Sequence, residues 1–253
     1  MYPILFTIGS WQIPANITFF GLGCLAGFLM SSKEAARIGP AVGYSKRNLF
    51  VFYLGVIPFA YLVGRINGWI FNLDLLFQEL SISDFISSGF ISFGAVLGAL
   101  LYGFLYSKIC KLSISEELDL VALTLPLIES IYRIGCLLTG CCYGRETSGF
   151  GGIYLPDVNG QWAYRYPTQI LLMVFNFCLF LWLWQRRTKK PYSGSQTFQY
   201  LIIYSIGRFL IDSLREGLPT FGIYNYQQIA SIIIFTVSLI VFIKLRIFSH
   251  SSN

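Results

Sequence analysis

Charge is scarce in this chain. Only 12% of its 253 residues are Asp, Glu, Lys or Arg, while 55% are hydrophobic. Soluble globular domains carry about 25% charged residues. That shortfall excludes a water-solvated globule and points to a bilayer. Histidine is almost missing: the single His250 follows the last apolar run and reads as a solvated tail residue. The six cysteines are Cys24, Cys110, Cys136, Cys141, Cys142 and Cys178, without paired zinc-type spacing. No metal set is therefore expected, and no cofactor is implied. The chain is no small secreted domain, which argues against a disulfide framework. No basic stripe on a soluble face is present, which excludes nucleic-acid binding. Repeats, linkers and low-complexity tracts are lacking too. The start, M-Y-P-I-L-F-T-I-G-S-W-Q, has no basic region before its apolar residues, so no removable leader is expected.

What the chain has is long apolar runs and many aromatic residues, at 17%. Aromatics at that level suit two interfacial belts of Tyr and Trp. A span needs about 20 mainly apolar residues, and seven stretches qualify, at about 13–30, 49–71, 85–107, 118–138, 168–185, 198–214 and 226–246. The expected fold is all-α, a polytopic membrane bundle of about seven transmembrane helices in one integral membrane domain over residues 1–253. Pro126, Glu129 and Arg133 interrupt the fourth stretch.

Flanking charge sets the orientation. Alternate loops hold Lys33, Arg37, Lys46, Arg47, Lys108, Lys111, Arg186, Arg187, Lys189, Lys190, Lys244 and Arg246, twelve in all. The opposite loops hold four, Arg65, Arg145, Arg165 and Arg215. The positive-inside rule puts the twelve in the cytoplasm, the N-terminus outside and the C-terminus inside. An odd number of spans agrees with that result. In the longest outward connection, Asn159-Gly160 between short aromatic runs is suited to close a small hairpin.

Two arginines, Arg133 and Arg208, fall inside spans. A charge at bilayer depth is expensive and marks a functional site by default. Glu129 lies four residues before Arg133 and Asp212 four after Arg208, so each carboxylate shares its arginine's helix face. One reading is two ion pairs that only lock the bundle. The other is a phosphate site, because the planar guanidinium fork grips phosphate bidentately. Arg65 and nearby glycines favour the second, with a phospholipid head group as the simplest ligand. Gly135, Gly140 and Gly144 do not share one helix face. Close backbone approach or a helix end explains them as well as ordinary small-residue packing does. Cys141 and Cys142 read as packing residues, with redox sensitivity as the alternative. L-T-G-C at 138–141 has the form of a lipoprotein processing box, but lies mid-chain and implies no lipidation.

In order along the chain, these blocks resemble the prolipoprotein diacylglyceryl transferase family. R-I-G-C-L-L-T-G-C-C-Y-G-R at 133–145 looks like the family's long motif, matching it at Arg133, Gly135, Gly140, Gly144 and Arg145. R-Y-P-T-Q-I at 165–170 is similar to a second block. Y-S-I-G-R-F at 204–209, with Arg215, resembles the late motif that supplies a second essential arginine. V-G-R-I at 63–66 resembles an early Gly-Arg, and the likeness runs from I-T-F-F-G-L-G-C (17–24) to Y-Q-Q-I-A-S (226–231).

The resemblance implies a bacterial cytoplasmic (inner) membrane enzyme of seven helices. It implies phosphatidylglycerol as donor and, as acceptor, the lipobox cysteine thiol of a preprolipoprotein signal peptide. Arg133 and Arg208 then fill catalytic roles by stabilising the departing phosphate. Substrate binding falls to Arg65, Gly135, Gly140, Gly144, Arg145 and Arg215, with Tyr143 and Tyr204 as hydrogen-bonding partners. The chain departs from the family where S-F-G-A-V-L-G (92–98) faces a His-Gly-Gly motif: the histidine is Phe93 and the second glycine Ala95. Cys136 stands for an asparagine, Phe20 for a tyrosine and Tyr132 for a glycine. The alternative implied by these departures is a catalytically silent or altered-specificity phospholipid-binding paralogue.

Overall fold

The computed structural model describes residues 2–9, 11–38, 46–71, 92–157, 159–217 and 220–251. Among these, seven helices and six short strands follow one another. The helices are α1 (Ala15–Ile38), α2 (Lys46–Phe71), α3 (Ser92–Cys110), α4 (Ile114–Thr139), α5 (Thr168–Arg186), α6 (Ser195–Asp212) and α7 (Tyr226–Ser251). The strands form three antiparallel hairpins: β1 (Ile4–Ile8) with β2 (Trp11–Pro14), β3 (Ile153–Pro156) with β4 (Trp162–Arg165), and β5 (Thr220–Phe221) with β6 (Tyr224–Asn225).

Five described helices are long and apolar enough to cross a membrane: α1, the Arg47–Ile66 stretch of α2, α4, α5 and the Tyr226–Ile247 stretch of α7. A multi-pass helical membrane protein follows. In α3 the described apolar stretch, Leu97–Cys110, is shorter. Residues 72–91, where the third expected span begins, lie outside the described residues. Helix α6 has 18 residues, but Gln196, Gln199, Arg208 and Asp212 dilute its hydropathy. The first span starts at Ala15 rather than at about residue 13, because a hairpin precedes it, and α1 runs on to Ile38. His250 falls within the last helix rather than in a tail, and its side chain lies outside the described residues. The hairpin around Asn159-Gly160 forms as expected: Asp157 N–H bonds to Gln161 O at 2.9 Å, and Gly160 takes φ +81°.

The chain divides into two compact units. The first comprises Met1–Ser31 and Leu118–Asn253. Its packed centre is Ala122 and Leu123 of α4, Leu179 and Leu183 of α5, and Tyr200 of α6. Small residues permit close helix approach, as is usual where lipid gives no hydrophobic drive between helices. A Cβ on Gly23 would lie 2.8 Å from Ile128 O, and one on Gly207 would enter the Phe175 ring. Large apolar side chains such as Leu22, Leu25, Ile233, Val237 and Ile240 face outward. In water such a surface would be a liability; against acyl chains it is the expected one.

The second unit, Ser32–Glu117, is built on α2 packed against α3. A Cβ on Gly98 would lie 2.7 Å from Val63, and Gly55 receives the Tyr102 ring. Tyr102 stacks on Tyr106, whose hydroxyl donates to Asn48 O at 2.7 Å.

Asp119 of α4 organises the start of α6. Its side chain is buried, and its two oxygens accept from Gly194 N (3.0 Å), Thr197 N (2.9 Å), Thr197 Oγ1 (3.0 Å) and Lys190 Nζ (3.2 Å). A helix N-terminus presents unsatisfied N–H groups and positive potential. Here a carboxylate from a neighbouring helix meets both needs. Asp119→Ala is expected to lower unfolding free energy by about 3 kcal/mol. The loss would appear as reduced resistance to a denaturing detergent. An unchanged midpoint would show the cap to be dispensable.

Candidate functional site

Arg133 and Arg208 lie on α4 and α6 and belong to one charged cluster. On α4, Arg133 Nη2 meets Glu129 Oε1 at 2.7 Å. The Tyr204 hydroxyl, on α6, donates to that same oxygen at 3.1 Å, so one carboxylate joins the two helices. One turn further along α6, Arg208 Nη2 lies 3.1 Å from Asp212 Oδ2. Arg215, just past the helix, brings Nη1 to 3.4 Å from Asp212 Oδ1.

Charge does not balance in this cluster. Three guanidinium groups face two carboxylates, and the Asp212 side chain is fully buried. Each arginine also keeps a buried donor that meets no acceptor among the described residues: Arg133 Nε, Arg208 Nη1 and Arg215 Nε. A buried unpaired donor costs about 1–3 kcal/mol. Surplus positive charge with three vacant N–H groups is what an anion needs.

The chain after α4 brings its end to the end of α6. Gly140, at φ +69°, terminates the helix, and Cys141 N–H returns to Cys136 O at 3.1 Å. Arg145 N donates to Leu214 O at 2.8 Å and Glu216 N to Tyr143 O at 3.2 Å, a short antiparallel bridge. Gly144 has to be glycine in this bridge: a Cβ would lie 3.0 Å from Leu214 O and strike Tyr166. Gly135 admits α1, since a Cβ there would be 2.8 Å from Asn16 Cα. All three glycines therefore support close backbone packing or a helix end.

The remaining expected residues have separate surroundings. Arg145 is exposed and its guanidinium donates to Ser213 O. Tyr143 lies under Arg165, with 4.8 Å from guanidinium to ring centre. Arg65 is buried in α2 of the other unit. The Phe93 side chain lies outside the described residues.

Two features escaped sequence reading. Arg165 is a hub: it reaches Glu216 (2.6 Å), Glu146 (2.8 Å) and Asp157 (3.6 Å), and so fastens the hairpin to both loops. Glu146, Asp157 and Glu216, three acids in the connections after α4 and α6, were the available signal. The second feature is a thiol cluster. The sulfurs of Cys136, Cys141 and Cys142 lie within 4.8 Å of one another. Zinc-type spacing is absent from the sequence, yet the Gly140 turn folds the Cys-Cys pair back on Cys136. Hydrogen bonds from the Cys136 and Cys141 thiols, aided by the charges of Arg215 and Arg133, pull Cys142 below the ordinary thiol range.

Fold and site together define a multi-pass helical membrane protein with a partly buried cluster of three arginines and two carboxylates. The sequence profile of the prolipoprotein diacylglyceryl transferase family matches residues 3–244. The chain is 35% identical over 219 residues to phosphatidylglycerol–prolipoprotein diacylglyceryl transferase 2 of Clostridium perfringens (strain 13 / Type A), covering 85% of this chain and 84% of that one. Similarity to the phosphatidylglycerol–prolipoprotein diacylglyceryl transferase of Clostridium tetani is 29% over 248 residues, or 96% of both chains. For the Clostridioides difficile enzyme of that name it is 30% over 223 residues, or 86% of both. This chain belongs to the prolipoprotein diacylglyceryl transferase family.

Proposed function

We propose that this protein transfers the diacylglyceryl group of phosphatidylglycerol to the lipobox cysteine thiol of a preprolipoprotein, at the outer side of the bacterial cytoplasmic membrane. The observation that carries this reading is the cluster of three arginines, each with a vacant buried N–H, against two carboxylates. A phosphodiester head group supplies both the missing negative charge and the missing acceptors. As the glycerol carbon–oxygen bond breaks, negative charge grows on the departing phosphate, and Arg133 and Arg208 stabilise it there. Preorganised electrostatics of this kind is usually the largest contribution to catalysis. Arg215 completes the grip, and Tyr204 holds Glu129 so that Arg133 keeps its direction. Tyr143, Arg145 and the three glycines border or shape the lipid site in this reading.

The arrangement agrees with seven spans, N-terminus out. Asp119 meets Thr197 near the starts of α4 and α6, Glu129 meets Tyr204 further on, and Gly144 pairs with Arg215 beyond both ends. The two helices therefore run in the same direction, as fourth and sixth spans must. A second reading, a silent phospholipid-binding paralogue, has one point in its favour: Phe93 stands where the family has a histidine.

Complementation tests the two. The gene is expected to support growth of cells depleted of their own transferase, and a C-terminal tag should be unreachable from outside intact cells. Phosphatidylglycerol binding without transfer would favour the silent paralogue, and external labelling of the tag would overturn the orientation.

A further inference from the structure

Two things remain unused by the transferase chemistry: the three thiols beside Arg133, and the question of how the acceptor thiol loses its proton. The thiols are closely prearranged. Three sulfurs around one zinc-type cation at about 2.3 Å would stand about 4 Å apart, and here all three lie within 4.8 Å. Their backbone is held from outside. Thr168 Oγ1 donates to Cys142 O at 2.8 Å and Gln169 Nε2 to Cys141 O at 3.0 Å, with both side chains buried. Cys142 also sits at φ +61°, a left-handed conformation that non-glycine residues rarely adopt without an external constraint. Cys136 is fully buried on α4, while Cys141 and Cys142 are half-buried and leave one side approachable. Arg133 Nη1 lies 3.9 Å from the Cys136 sulfur, so the triad adjoins the proposed phosphate grip.

We propose that Cys136, Cys141 and Cys142 form a three-thiolate site for a soft divalent cation of the zinc type, whose open fourth position takes the acceptor cysteine. This rests on the transferase reading for the identity of the fourth ligand, but not for the metal site itself. Three protein ligands and one open position are the usual form of a catalytic rather than structural zinc site. A thiol that coordinates such a cation is deprotonated outright. The acceptor S–H would give its proton to water as the metal–sulfur bond forms. A sulfur lone pair then makes the S–C bond to the glycerol carbon. The C–O bond breaks with its electron pair going to the phosphate oxygen, beside Arg133. Thioether and glycerol phosphate result, with no change of oxidation state. Such a site accounts for thiol activation in a chain with Phe93 at the family's histidine position.

Cobalt(II) provides a spectroscopic test that is independent of turnover. Reduced, metal-stripped protein in detergent is titrated with Co(II) alone. One equivalent should give sulfur-to-cobalt charge-transfer absorption and the intense visible bands of a four-coordinate site. N-acetylcysteinamide should then raise the charge-transfer intensity by about one third, as a fourth thiolate joins three. Cys141→Ser/Cys142→Ser should lose the bands, whereas Cys24→Ser/Cys178→Ser, a control of equal size, should keep them. Protection of Cys141 and Cys142 from alkylation by the bound ion reads the same site in wild-type protein, without relying on a variant's folding. Absence of the bands at one equivalent, or their survival in the Cys141/Cys142 variant, overturns the metal site. Bands indifferent to the added thiol overturn the acceptor role. A thiol-responsive site in a protein that transfers no lipid would instead count against the transferase reading.

Discussion

Arg133→Lys should cut diacylglyceryl transfer by about 10²–10³-fold while leaving the protein folded. The charge survives this substitution, and so does most of the attraction to Glu129. What disappears is the planar fork. Arg133 places Nη2 on Glu129 and keeps Nε unpaired. A lysine has one nitrogen to divide between carboxylate and phosphate, and Glu129 is the nearer partner. Purified wild type and variant, assayed with labelled phosphatidylglycerol and a lipobox peptide, give the comparison. A variant as fast as wild type would reduce Arg133 to a packing residue. A loss of activity accompanied by a collapsed unfolding midpoint would assign the effect to folding instead.

Asp212→Asn is expected to act on stability first. Asp212 is fully buried between Arg208 at 3.1 Å and Arg215 at 3.4 Å. Its own backbone carbonyl accepts from Asn225 Nδ2 at 3.1 Å, which ties α6 to the start of α7. Removing one member of a buried ion pair leaves an uncompensated charge and typically costs about 3–5 kcal/mol. The midpoint in a denaturing detergent should fall accordingly. Adding Arg208→Gln to Asp212→Asn should restore part of the stability, because one unpaired charge is then removed, but not the transfer. If the double variant is less stable than Asp212→Asn alone, the two side chains are not coupled as the geometry has them. Phosphatidylglycerol should rescue Asp212→Asn more than wild type, since the lipid phosphate can replace the lost counter-charge.

Sequence pattern and three-dimensional arrangement agree best where the information is local. The pairs Glu129–Arg133 and Arg208–Asp212 follow from i,i+4 spacing, and both form. The hairpin follows from Asn159-Gly160 between aromatic runs, and β3 pairs with β4 around it. Helix positions follow from apolar length, with errors at the ends, because an apolar run does not register the hairpin before α1 or the polar face of α6. Non-local partners were another matter. Nothing within α6 announces that Tyr204 reaches Glu129, or that Arg215 shares Asp212 with Arg208. Those contacts depend on how two helices are placed. Arg165 read as an ordinary loop charge because its three acids are dispersed over some seventy residues, from Glu146 to Glu216. The thiol triad depends on a reversal at Gly140, which brings Cys141 and Cys142 back to a residue they had just left in sequence.

The parallel pair α4 and α6 is fastened at three heights: Asp119 to Thr197, Glu129 to Tyr204, and the backbone bridge between Gly144 and Arg215. From Asp119 to Glu129 is about 15 Å of helix, so the ties are spread over half a bilayer's thickness. Rods fastened in this way have no sliding coordinate left. A two-chained lipid must nevertheless enter, react and depart as a thioether on a peptide. Turnover therefore needs a compliant wall, and this pair is not it. Amide hydrogens along the facing sides of α4 and α6 should be among the last to exchange, and substrate occupancy should alter protection elsewhere in the chain.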